Sequence, residues 1–245
     1  GLGTEYSNYA AVNGGKGADY YYKWDWTVKL DADIDLKGVT LDAPIYVADW
    51  KLFDGQGHTI KNVNIVTANN TENSAGLFIG GKNCGFKNIV LDNVNVTGSL
   101  VGGSTAAILA ADCNSSEGAT GITIKNSSVW GGKYTGGVVG YGYTHTTDCV
   151  LENCVIKGGY KLGGVIGYIC SSNNGTKAVD NHTLTNCTVD GTDGQYAGGK
   201  SEYVMGRVVG NFNTDGSCQN NTIYNMTTVA IANIGKIEAG YTVAE

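Results

Sequence analysis

The chain has almost no proline: 1 residue in 245, against 38 glycines, 15 tyrosines and 4 tryptophans. Disordered glycine-rich linkers carry proline and few aromatics, so this composition excludes a linker and points to an ordered, turn-rich fold. Lysine and arginine are also scarce, 16 against 22 acidic residues, and they form no cluster. A net charge of −6 without a basic patch argues against a nucleic-acid partner, because phosphate neutralisation needs clustered cations. No run approaches the ~18 apolar residues of a transmembrane helix, and no charged-then-apolar leader opens the chain, so membrane insertion is not expected. Gly1, with no methionine before it, reads as a processed or recombinant end, and the chain is expected to be a fragment. Long amphipathic helical segments are missing too, broken throughout by glycine.

What is present is repetition. The phrase apolar-x-Asn-x-x-apolar occurs as LDNVNV (91–96), IKNSSV (124–129), LENCVI (151–156), LTNCTV (184–189) and, loosened, IYNMTTV (223–229). A second phrase runs between the copies: GLFIG (76–80), AAILA (106–110), GGVVG (136–140), GGVIG (163–167) and GRVVG (206–210), at spacings of 30, 30, 27 and 43 residues. A unit of about 30 residues with two short apolar strands cannot bury its own face, so copies must stack and share a core. The expected fold class is all-β: a parallel β-helix in which equivalent residues lie about 4.8 Å apart along the axis. Asn93, Asn126, Asn153, Asn186 and Asn225 then form a ladder. Each breaks the apolar alternation, which marks a bend that Asn tolerates and its amide can bridge. In FDGQGHTIKNVNI (53–65), Gly55 and Gly57 supply a turn, His58 is a turn residue, and Ile60, Val63 and Ile65 open the ladder.

GGVVG and GGVIG with LENC and LTNC resemble the GLUG-type repeats of bacterial surface proteins, and the lead-in Tyr6–Gly38 resembles theirs. The resemblance implies a right-handed parallel β-helix of the pectin-lyase-like kind and an adhesin-like role. The expected layout is a single domain over 1–245. Residues 1–50 hold an N-terminal cap with a short helix around Tyr6–Val12, 51–230 hold the repeat coils, and 231–245 hold a C-terminal strand or cap.

Three chemistries are open to this fold. NTDG (213–216) is similar to one strand phrase of polygalacturonases, but the Asp-Asp pair, Gly-His-Gly and Arg-x-Lys that inverting hydrolysis needs are missing, so Asp215 is read as a turn residue and no catalytic residue is assigned. Asp31, Asp33 and Asp35 share one strand face, yet Leu36 and Asp42 stand where a calcium loop needs glycine and glutamate. No metal and no cofactor is expected. Seven cysteines cannot all pair; Cys154 and Cys187 share a ladder position, Cys113 and Cys170 another, and all seven are expected to be buried thiols. Nine Asn-x-Ser/Thr sequons include ladder positions that glycans would block, which favours a bacterial surface, secreted or periplasmic setting.

Binding remains. Tyr141 and Tyr168 follow the second phrase in adjacent coils, and Tyr134 and Tyr160 precede it. Tyr196 lies in one of two long polar inserts between Gly163 and Gly206. These five are the candidate ligand-binding residues, for stacking on sugar rings. The expected function is a non-catalytic surface or adhesion-type module with glycans or host surface glycoproteins as partners. The alternatives are a polysaccharide lyase or hydrolase, and a structural spacer.

Overall fold

The computed structural model describes residues 26–47, 50–67, 74–79, 84–99, 104–170, 176–191 and 203–245. The expected capping helix and Tyr196 lie outside them. Four sheets of 8, 11, 5 and 7 strands are parallel throughout, the arrangement of a parallel β-helix. One coil shows the path: Ala119–Thr120 in the first sheet, Thr123–Lys125 and Ser128–Trp130 in the second, Tyr134–Gly136 in the third, and Val139–Gly142 in the fourth. Thr146–Thr147 then begins the next coil, paired with Ala119–Thr120. Among the described residues no helix is long and apolar enough to cross a membrane.

The core is the sum of these ladders. Leu91, Ile124, Leu151 and Leu184 stack in register, as do Val96, Val129, Ile156 and Val189, and all are at most 1% exposed. Each such side chain contributes roughly 1.5–3 kcal/mol by leaving water. Ile60, Val63 and Ile65 are buried as the alternation predicts. At the N-terminal end Phe78 touches Phe53 and Phe86, with ring centroids 4.9 and 5.2 Å apart. The tail after Ile231, which matches no repeat in the sequence, extends the solenoid: Ile234–Ile237 joins the fourth sheet and Val243–Ala244 the first.

The asparagine corner is present, and most of its ladder faces solvent. Asn93, Asn126, Asn153, Asn186 and Asn225 hold φ between 49° and 55°, and Asn62 begins the series at 59°. Asn153, Asn186 and Asn225 each donate Nδ2 to the Oδ1 of the preceding ladder residue, at 3.2, 3.2 and 2.8 Å. The chain of bonds breaks once, where Asn126 donates to Asp92 instead of Asn93. From Asn93 onward the ladder is exposed to solvent, because its side chains point out of the bend. Five residues before these five lies a second corner, which the sequence reading missed: Asn88, Gly121, Asp148, Asn181 and Asn220, all at positive φ. Asn181 donates to Asp148 and Asn220 to Asn181, each at 3.2 Å.

The second phrase needs correcting by one residue in one coil. Ala107, not Ala106, aligns with Gly136, because Ala106 pairs with Thr135. Cys113 therefore aligns with Gly142 and then Ile169, so Cys113 and Cys170 do not share a position. The glycines of this phrase serve close approach more than turning: a Cβ on Gly140 would stand 2.7 Å from the Ala111 carbonyl oxygen and 2.8 Å from that of Ala106. At Gly140 only hydrogen fits between the third and fourth sheets. Gly55 behaves the same way against Asn88 and Ile89, leaving Gln56 and Gly57 as the turn residues at positive φ. All seven cysteines are buried and free.

Candidate functional site

The close approach at the glycines brings tyrosines from two sheets together. Tyr141 pairs in register with Tyr168 in the fourth sheet, and their ring centroids lie 5.7 Å apart. Tyr134, from the third-sheet strand just before the bend, stacks on Tyr141 at 5.5 Å and meets Tyr168 at 4.9 Å. Tyr143 adds an edge contact to Tyr141 at 6.1 Å. The four rings are half-buried, so they form one aromatic patch with part of its area facing solvent. Of the predicted residues, Tyr134, Tyr141 and Tyr168 are brought together. Tyr160 is not a ladder mate of Tyr134, because Lys161 holds that position.

Lys161 is the residue the sequence reading missed. Its side chain is 7% exposed, and its Nζ stands 3.5 Å from the Tyr168 ring centroid, 5.6 Å from that of Tyr134 and 5.5 Å from that of Tyr160. Lys133 Nζ stands over Tyr134 at 4.9 Å. A cation over a ring face is held by the ring's quadrupole, more strongly as water is excluded. Glu238, from the tail, lies 3.9 Å from Lys161 and 3.2 Å from Lys236, and accepts Nδ2 of Asn211 at 2.8 Å. Asn211 Oδ1 is buried with no hydrogen-bond partner. Asn213 donates to the Tyr168 hydroxyl at 2.9 Å.

Burial sets the protonation states. It pushes the Tyr168 phenol up to about 12 and raises that of Tyr141 as well, so both stay neutral donors at ordinary pH. Burial also lowers Lys161, against the pull of Glu238. The hydrogen bond from Asn211 holds Glu238 below its usual range, so it remains a carboxylate. The site thus offers ring faces, phenolic hydroxyls and ammonium groups on a rigid scaffold.

The remaining acidic candidates of the sequence have other partners. Asp215 is exposed and accepts the Thr242 backbone N–H at 2.8 Å, tethering the last coil. Asp31 and Asp33 precede the strand Ile34–Leu41 instead of sharing its face. Asp33 binds the Thr59 N–H and lies 3.2 Å from His58 Nδ1, while Asp35 accepts Asn62 Nδ2 at 2.9 Å. Among the described residues no three His, Cys, Asp or Glu side chains converge as a metal site would require.

No protein-family model and no curated protein matches this chain. The chain is similar to a crystal structure described as a "putative immunoglobulin A1 protease" from Bacteroides ovatus, with a TM-score of 0.40 and 21% identity over 91% of this chain and 79% of that one.

Proposed function

We propose that this chain is a non-catalytic binding module of a bacterial surface or secreted protein, with glycans or glycan-bearing host glycoproteins as partners. The observation that carries this reading is the patch of Tyr134, Tyr141 and Tyr168, whose half-buried rings come from two sheets locked together by glycine contacts. Ring faces presented on a stiff backbone bind sugar C–H surfaces at little ordering cost. Neutral phenols add hydrogen bonds to hydroxyls. The resemblance of the repeats to GLUG-type surface proteins supports the setting. The strand-to-parallel-strand crossover rule supports a right-handed coil.

A glycan array probed with the wild-type chain and with Tyr141→Ala tests this. The expected result is a set of bound glycans lost in the variant. Saccharides that bind both proteins equally would contradict it, and so would turnover of a polysaccharide by the wild-type chain.

A further inference from the structure

The chain carries a net charge of −6, but its tyrosine patch is locally rich in cations. Lys133 and Lys161 stand over the Tyr134 and Tyr168 rings, and Lys236 joins them through Glu238. Register orders these charges along the axis. Asp112, Tyr141, Tyr168, Asn211 and Lys236 occupy successive rungs of the fourth sheet. One end of the row therefore carries a carboxylate and the other the Lys161–Glu238–Lys236 group, in which two ammonium groups face one carboxylate, with two phenol rings between. At about 4.8 Å per rung, the three steps from Tyr141 to Lys236 span about 14 Å, the reach of a short oligosaccharide. A local positive field on an acidic surface selects anions and orients them.

Resting on the glycan-binding reading above, we infer that the patch takes an acidic sugar residue, one bearing a carboxylate or sulfate group. Its ring lies on Tyr141 and Tyr168, with the anionic group toward Lys161 and Lys236 and away from Asp112. Lysine suits either anion, since an ammonium is a point charge without the bidentate geometry that arginine imposes. A neutral sugar would meet the same rings but gain nothing from the cations. An acidic peptide would meet the cations without the ring stacking.

Calorimetric titration of the full chain tests this, using a galacturonate hexamer, sialyllactose, a heparin-type oligosaccharide, neutral xylohexaose and lactose, and an oligoglutamate. At least one acidic saccharide is expected to bind ten-fold or more tighter than its neutral counterpart, and the ranking of carboxylated against sulfated ligands identifies the anion. Lys236→Gln should weaken that ligand about three- to five-fold and Asp112→Asn should tighten it about two-fold, both leaving neutral sugars unaffected. Equal binding of neutral sugars, equal binding of oligoglutamate, or no response to either substitution would overturn the inference while leaving glycan binding in place. Binding of no saccharide at all would overturn both.

Discussion

Asn153 donates its side-chain amide to Asn126 across one rung at 3.2 Å, and both residues hold the left-handed backbone, at φ 54° and 49°. Asn186 repeats the bond onto Asn153. Because this ladder is exposed, its hydrogen bonds compete with water and contribute less than buried ones. The conformation is the larger constraint, since a residue with a Cβ but no short polar side chain to hydrogen-bond locally is strained there. Asn153→Leu should therefore destabilise the chain by about 1–2 kcal/mol and Asn153→Gly by less. Lys157→Ala, whose ammonium lies 3.9 Å from Asp190 at the surface, should stay within about 0.5 kcal/mol. Urea denaturation of the three variants checks the order.

The glycine phrase makes a sharper steric demand. A Cβ on Gly140 would press on backbone atoms of Ala106 and Ala111, which cannot move without parting two sheets, whereas the nearest atom to a Cβ on Gly191 is 3.6 Å away. Gly140→Ala should cost about 2 kcal/mol or more and Gly191→Ala should be nearly neutral. Similar melting temperatures for the two variants would show that the sheets do not meet as described.

Acid should weaken the fold through His182. This ring is fully buried; its Nδ1 accepts the Cys149 N–H at 3.1 Å, so the proton sits on Nε2, which lies 3.2 Å from the Thr146 hydroxyl. Burial pushes its pKa down to about 4, against 6.5 when unfolded. Between those values the unfolded chain binds the extra proton, so stability is full above about pH 6.5 and falls as pH drops toward 4. The loss is about 3 kcal/mol at most. Chemical denaturation between pH 7 and 4 should show this slope, and His182→Asn should flatten it.

The thiols should be silent in the native state. Burial pushes Cys84, Cys149 and Cys218 up to about 12 and Cys113 up to about 11, and all seven are shielded from solvent. A thiol-reactive chromophore at pH 8 should label none of them quickly and all seven after unfolding. Rapid labelling of two or more in the folded chain would contradict the inward-facing register.

The parts of this fold legible in the sequence are those that repeat. Asn153 and its ladder mates meet the same backbone demand on every rung, so the same residue recurs and the corner can be read directly. The second corner was legible in principle, as Asn, Gly or Asp five residues before each ladder Asn, but three residue types blur the pattern. The Tyr–Lys–Glu network was not legible. Lys161 reaches Tyr168 only because its strand pairs in register with Tyr134, and Glu238 comes from a tail that copies no repeat. Contacts made once, across a bend, leave no period to find.

The claim that sugar binds on this aromatic patch is tested most directly by NMR titration of the tyrosine-labelled chain with a saccharide it binds. The ring resonances of Tyr134, Tyr141 and Tyr168 should shift together and saturate at one affinity, while that of Tyr224, on a strand of the second sheet, stays in place. A shift confined to Tyr224, or none at the patch while binding is measured, would contradict the account.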